Sequence, residues 1–154
     1  MSLSIRGKEV ILISHRGNIS GPNPDRENHP DYIQQAISNG YNVEIDVWYE
    51  NTKWYLGHDE PQYEVHKTYF YNNVLWCHAK SIEALKNLSF MGIHCFWHQE
   101  DDVTLTTRGY LWTYPGKLLT TKSICVMPER ANYSREELQV AAGVCSDLIE
   151  EYCK

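Results

Sequence analysis

Histidine, arginine and carboxylate side chains are concentrated in the first part of the chain. His15 and Arg16 follow the apolar run EVILIS, Glu44 and Asp46 lie two residues apart, and His58 comes after them. A histidine exchanges protons near neutral pH, and an arginine guanidinium binds phosphate oxygens through fixed, charged donors. A pair of carboxylates can hold a hard divalent ion. These residue types together predict metal-assisted cleavage of a phosphate diester.

The carboxylate pair belongs to a predicted strand, YNVEIDV. Because side chains two residues apart on a strand point to the same face, Glu44 and Asp46 would face one way and Val43, Ile45 and Val47 the other. Two charges on an inward face need a cation or basic partners. Oxygen ligands suit Mg²⁺ or Ca²⁺. The alternative interpretation is an alternating strand whose acids simply face water.

The elements that must position these residues follow an alternating pattern. Apolar runs predict strands, and three amphipathic segments predict helices that begin at Pro30, Ser81 and Ser134, the last with a capping box to Glu137. The predicted strands cover residues 9–14, 41–47, 74–78, 93–98, 110–113, 123–126 and 144–149. Such alternation predicts a parallel sheet with right-handed crossovers.

Chain length limits how complete such a fold can be. A full (β/α)8 barrel takes at least ~200 residues, whereas this chain has 154. We therefore expect one domain over residues 1–154, an α/β fold of the reduced TIM (β/α) barrel type. It would have seven to eight strands and lack several outer helices. The alternative is an open α/β sheet. Apolar strand faces left bare by missing helices would favour pairing of two copies as a homo-oligomer.

Composition excludes several classes of protein. The formal net charge is −6 and no run of Lys or Arg occurs, which argues against a nucleic-acid-binding surface. No apolar run is long enough to span a membrane, and the first residues lack the apolar core of a signal peptide. The five cysteines form no CxxC pair and are odd in number, so reduced thiols are expected. These features predict a cytoplasmic protein.

Four short motifs in the first third of the chain resemble a known signature. HRG at 15–17, EN at 27–28, E-x-D at 44–46 and HD at 58–59 occur in this order. They resemble the glycerophosphodiester phosphodiesterase family, within the phosphatidylinositol-phospholipase-C-like superfamily. Beyond these motifs the similarity is one of order and pattern. The resemblance implies a barrel fold, one divalent metal ion and a phosphodiester substrate.

The resemblance also assigns roles to particular residues. His15 and His58 would be the general acid/base pair, and Arg16 would bind the phosphate. Glu44 and Asp46 would ligate the metal ion. A glutamate in the EN motif, Glu27, would lie near the site as a metal ligand or as a support for His15 or Arg16.

The sequence departs from the family pattern at the third strand. The family usually places an acid two residues before a phosphate-binding lysine, and here the stretch is His78-Ala79-Lys80. Lys80 fits that pattern. An imidazole at His78 favours Mn²⁺ or Zn²⁺ over Ca²⁺ if it is a ligand, and otherwise leaves the ion with two side-chain ligands. Two further candidates lie at strand ends: Glu129, and Trp112, which could contact the leaving group or belong to the core.

These observations predict a metal-dependent phosphodiesterase that cleaves a small-molecule diester such as a glycerophosphodiester. His15 would take a proton from water or from a neighbouring substrate hydroxyl, and His58 would donate one to the leaving group. A lysophospholipase D-like enzyme is an alternative, with Trp48, Trp54 and Tyr55 as an apolar ramp beside the site. A non-catalytic phosphate- or metal-binding barrel and a purely structural interaction protein are the alternatives from other classes.

Overall fold

A computed structural model describes residues 3–5 and 8–153 of the chain. Over these residues the backbone forms eleven strands and three α-helices. The strands are β1 (Leu3–Ile5), β2 (Lys8–His15), β3 (Asn42–Glu50), β4 (Lys53–Leu56), β5 (Tyr63–Val65), β6 (Leu75–Ala79), β7 (Cys95–Phe96), β8 (Val103–Leu105), β9 (Leu111–Thr113), β10 (Ser123–Val126) and β11 (Gly143–Ser146). The helices are α1 (Pro30–Ser38), α2 (Ile82–Phe90) and α3 (Arg135–Val140), and 3₁₀ helices cover Lys67–Tyr71, Pro128–Arg130 and Ile149–Cys153.

The strands form one curled, mixed sheet. Seven of them run parallel in the order β7-β6-β3-β2-β11-β10-β9. Antiparallel strands extend this series: β4 and β5 continue from the second half of β3, β8 pairs with β9, and β1 pairs with β2. The curl brings β7 near β9, where the rings of Phe96 and Trp112 lie 4.6 Å apart between centroids.

The prediction of a reduced TIM barrel is wrong. The described sheet is a half-barrel of mixed strands with only three α-helices, and β7 pairs with β6 alone, so hydrogen bonding does not close a ring. The physical reason is the length of the connections. Only residues 114–122 join β9 to β10, and the six-residue α3 is the one α-helix between β10 and β11. Such connections are too short to lay a full helix on each strand.

Two apolar clusters lie on opposite faces of the sheet. The outer face of β3 and β6 packs against α1 and α2, with Ile45, Cys77 and Leu88 fully buried between them. The inner face is filled by Trp76, Phe96, Trp112 and others of the same cluster. The polar side chains of the candidate site lie on the same inner face, next to this cluster and toward the carboxyl ends of the strands.

Most local predictions are confirmed, and their boundaries move by a few residues. α1 begins at Pro30, α2 has Ser81 as its N-cap, and the Ser134–Glu137 capping box is present. Two strands are shorter than predicted by two residues or more: the fourth predicted strand keeps only residues 95–96, and the last ends at Ser146 instead of Ile149. None of the described helices has the length and apolarity needed to cross a bilayer.

The buried His94, which packs on Trp76 of the inner cluster, should make the folded state less stable in acid. Burial lowers the pKa of His94 to about 4, and its Nε2 lies 2.8 Å from the Thr106 hydroxyl. Because the unfolded chain would take up the proton near pH 6.5, the free energy of unfolding should fall as pH drops from about 6.5 to about 4, by up to about 3 kcal/mol from this group. Urea unfolding of the protein and of His94→Gln at pH 7 and pH 4.5 measures this. An equal pH dependence in both would contradict it.

Candidate functional site

The polar side chains that follow the parallel strands line one cavity of about 640 Å³. It lies at the carboxyl ends of the strands, because His15 ends β2, Lys80 follows β6 and Asp147 follows β11. Of the residues singled out from the sequence, those lining the cavity are His15, Arg16, Glu27, Glu44, His58, His78, Lys80 and Trp112. The sheet therefore brings together residues that are more than 90 positions apart.

Strand register places the carboxylate pair beside two histidines. In the parallel pairing, Glu44 on β3 is opposite His15 on β2, and Asp46 is opposite His78 on β6. The His15 Nε2 atom lies 3.6 Å from Glu44 Oε2, and the His78 Nδ1 atom lies 3.2 Å from Asp46 Oδ1. Glu44, Asp46 and His78 each offer one ligand atom within 4.8 Å of the others, so they could hold a metal ion.

Both carboxylates are buried and each keeps an oxygen without a hydrogen-bond partner. Glu44 is 2% exposed and Asp46 is fully buried, and their atoms Oε2 and Oδ1 have no hydrogen bond. Burial and the adjacent Asp46 charge raise the pKa of Glu44 well above its ordinary value. A divalent cation at this position would let both groups remain ionised. The unsatisfied oxygens thus fit a metal ion.

Asp46 is held in place by an asparagine of the loop before α1. The Asn28 amide donates to Asp46 Oδ2 at 2.9 Å, and its Oδ1 accepts from the Asp46 backbone N–H at 2.9 Å. Burial would raise the pKa of Asp46, but contacts with His58 and His78 and the charge of Arg16 hold it well below the usual range. Asp46 is therefore a fixed anion at the centre of the site.

His15 is oriented by a carboxylate from the other end of the chain. Its Nδ1 lies 2.7 Å from Asp147 Oδ1, which also accepts from the Asn18 amide at 2.8 Å. Since a carboxylate only accepts, the hydrogen of a neutral His15 ring is on Nδ1 and the Nε2 lone pair faces the cavity. Burial lowers the pKa of His15 against the opposing effect of the Asp147 hydrogen bond, which favours the neutral form.

A left-handed turn after β2 directs Arg16 into the site. Arg16 and Gly17 have φ of 58° and 96°, and a Cβ at Gly17 would lie 2.5 Å from the Tyr32 ring, so glycine is required there. The Arg16 guanidinium contacts Asp46 Oδ2 at 3.0 Å and Glu27 Oε1 at 3.2 Å. Burial opposes the charge, but Asp46 and Glu44 raise the pKa of Arg16.

The second histidine of the predicted pair lies on the more open side of the cavity. His58 Nδ1 lies 3.6 Å from Asp46 Oδ2, and its Nε2 lies 3.4 Å from the Arg16 guanidinium and 3.5 Å from Asp59 Oδ1. Its side chain is 43% exposed. His15 and His58 therefore stand on two sides of the Glu44–Asp46 pair, one buried and one accessible.

Comparison with known families, curated proteins and solved structures does not assign this chain to a family. No family model matches it, and neither the curated proteins nor the solved structures contain a significant match.

Two other candidates have different surroundings. Trp112 lines the cavity, but it is 4% exposed and packs on Phe96, so most of its ring belongs to the inner cluster. Glu129 follows β10 as predicted, yet its oxygens accept from the Ser146 and Tyr152 hydroxyls and do not line the cavity. It supports the loop before α3.

The sequence analysis missed Asp147, Asn18 and Asn28 as site residues. Asp147 carries the same signal as His15 and Lys80, a polar residue directly after an apolar strand, so that signal could have found it. Asn18 lies in a loop with no regular spacing, and Asn28 belongs to the EN motif at 27–28, which gave it no role of its own. The proposed apolar ramp is not part of the cavity lining: Trp54 is buried against Tyr49, and the Trp48 indole donates to the Gly57 carbonyl.

Proposed function

We propose that this protein is a metal-dependent hydrolase of phosphate diesters. The observation that carries the proposal is the arrangement of His15 and His58 around a buried carboxylate pair, with the Arg16 guanidinium beside that pair. A diester cleavage needs a proton acceptor, a proton donor and positive charge at the nonbridging oxygens. The cavity offers side chains for each of these requirements.

His15 is the group suited to take up a proton. Its Nδ1–H donates to Asp147, so the Nε2 lone pair faces the cavity and can accept a proton from water or from a neighbouring hydroxyl of the substrate. The imidazolium that forms would be stabilised by the Asp147 carboxylate. The lowered pKa of His15 keeps the ring neutral before that step.

His58 is the group suited to donate a proton to the leaving alkoxide. It is the more exposed histidine, and Asp46 and Asp59 lie within 3.6 Å of its two ring nitrogens. A general acid must lie within hydrogen-bond reach of the leaving oxygen, and a donor on the open side of the cavity can meet an oxygen whose substituent extends out of the cavity. Arg16 and Lys80 would bind the nonbridging oxygens, because both are cations that line the cavity.

Glu44 and Asp46 would hold one divalent ion, which would satisfy their buried oxygens that lack a hydrogen-bond partner. When bound, the ion would supply Lewis-acid stabilisation of the charge that develops on the phosphate. Asn28 keeps Asp46 oriented toward that position through its two hydrogen bonds.

The cavity suits a small-molecule substrate. A volume of about 640 Å³ falls in the range of ligand pockets, and a glycerophosphodiester would fit. The five free thiols are consistent with a reducing compartment, and we propose a cytoplasmic location on that ground.

The test measures hydrolysis of bis(p-nitrophenyl) phosphate and glycerophosphocholine by metal-stripped protein after addition of Mg²⁺, Ca²⁺, Mn²⁺ or Zn²⁺. We expect turnover that EDTA abolishes and that Asp46→Asn lowers at least about 100-fold, since a bound ion supplies several kcal/mol of charge stabilisation. The exposed Asp102→Asn is the matched control and should retain activity, because it lies at a surface ion pair with Lys117. A folded protein that hydrolyses neither diester with any ion would refute the proposal and favour a binding-only domain.

A further inference from the structure

His78 has a fixed orientation at the carboxylate pair. Its ring is stacked on Phe96 with an interplanar angle of 7°, and its Nε2 lies 3.1 Å from the His98 backbone carbonyl. A carbonyl oxygen only accepts, so Nε2 carries the hydrogen and Nδ1 of the neutral ring presents a lone pair. Metal-binding histidines usually donate their other ring N–H in this way.

The Nδ1 lone pair points at two oxygens that are themselves acceptors. It lies 3.2 Å from Asp46 Oδ1 and 3.8 Å from Glu44 Oε1. Three electron-rich atoms in a buried site repel one another unless a hydrogen on Nδ1 or a cation lies between them, and a bound metal ion takes the place of that hydrogen. Zinc and similar ions bind N and O ligands at about 2.0–2.2 Å, so ligand atoms on one ion lie up to about 4.4 Å apart. Both distances from Nδ1 are within that reach.

The chemistry of this donor set selects among ions. Mg²⁺ and Ca²⁺ take almost only oxygen ligands, whereas an imidazole nitrogen suits Mn²⁺, Zn²⁺ and other first-row transition ions. We infer that His78 Nδ1 completes a Glu44–Asp46–His78 site that binds a transition ion in preference to Mg²⁺ or Ca²⁺. This inference rests on the proposed function only for its use in catalysis, because binding can be measured without any substrate.

Ion binding by metal-stripped protein tests the inference directly. Calorimetric titration with Mn²⁺, Zn²⁺, Mg²⁺ and Ca²⁺ should give at least about tenfold tighter binding of the transition ions. The visible absorption bands of bound Co²⁺ report its coordination, and a change in these bands in His78→Ala would show that His78 is a ligand. His78→Ala should weaken Zn²⁺ and Mn²⁺ binding at least about tenfold.

A carboxylate at position 78 provides the sharper comparison. His78→Glu should narrow the affinity ratio between the transition ions and Mg²⁺ or Ca²⁺ at least about tenfold, because the site would then contain only oxygen ligands. The matched control is His98→Gln, since His98 lines the same cavity but its ring is not in the three-residue cluster. This control should keep the wild-type order of affinities.

The outcomes separate this inference from the proposed function. A wild-type preference for Mg²⁺ or Ca²⁺, or an unchanged affinity ratio in His78→Glu, overturns the inference. Hydrolysis supported by Mg²⁺ would still leave the phosphodiesterase proposal standing. Loss of transition-ion binding in His98→Gln but not in His78→Ala also overturns it. Tight Zn²⁺ or Mn²⁺ binding through His78 without hydrolysis of any diester supports the inference and counts against the enzyme.

Discussion

Replacing His15 by alanine is expected to lower the turnover number for phosphate diesters by about 10²–10⁴-fold, while the protein stays folded. The His15 ring is the proposed proton acceptor, and its Nδ1 atom lies 2.7 Å from Oδ1 of Asp147, which follows β11. Steady-state kinetics with both diesters measures the loss, and circular dichroism checks the fold. The exposed His66→Ala, outside the cavity lining, is the matched control.

The Asp147→Asn variant tests how His15 is held. An asparagine can donate to Nδ1, which would favour the tautomer with its hydrogen on Nε2 and remove the proton acceptor from the cavity. We therefore expect a fall in kcat with little change in KM. Wild-type turnover in both His15→Ala and Asp147→Asn would reject His15 as the base.

The same two substrates distinguish the acid from the base. A nitrophenolate leaves without protonation, whereas an alkoxide needs a proton donor. His58→Ala should therefore reduce hydrolysis of glycerophosphocholine far more than that of bis(p-nitrophenyl) phosphate, and His15→Ala should reduce both. Equal losses in His58→Ala for the two substrates would contradict its role as the acid.

The core of the candidate site could be predicted because it depends on local rules. Glu44 and Asp46 share a strand face, and His15 and Lys80 directly follow strands whose carboxyl ends meet at one edge of the sheet. Asp147 was missed because the predicted last strand ran to Ile149 and so included it, whereas β11 ends at Ser146. Its contact with His15 also depends on β11 pairing with β2, an order that the sequence pattern does not encode. A pair 132 positions apart becomes visible only with the sheet itself.

The fold was predicted less well than its elements. Apolar periodicity located α1, α2 and most parallel strands, because each buries one face locally. Closure of the sheet depends instead on the length of the segments that connect neighbouring strands and on whether these segments can form helices. Residues 97–110 contain β8, which pairs antiparallel with β9. Neither this strand nor its pairing was predicted from the sequence.

Replacing Phe96 by alanine is expected to reduce the free energy of unfolding by about 3–5 kcal/mol. Phe96 is 1% exposed and contacts Trp112 and the His78 ring, which are 4.6 Å and 5.3 Å away between centroids. Because β7 forms no strand pair with β9, this aromatic contact stabilises the side of the sheet that backbone pairing leaves open. Urea unfolding measures the change, with the 92% exposed Phe90→Ala as the matched control.

The size of this effect distinguishes two ways in which the curled sheet could be stabilised. If side chains hold β7 against β9, Phe96→Ala loses several kcal/mol, and Phe96→Leu, which refills most of the volume, loses much less. If the loop contacts between Cys95 and Thr107 are sufficient, the alanine variant should unfold with nearly wild-type stability. The His78 ring stacks on the same Phe96 ring. The first case therefore also predicts weaker ion binding in Phe96→Ala than in Phe90→Ala, because loss of the Phe96 ring would leave His78 less firmly oriented.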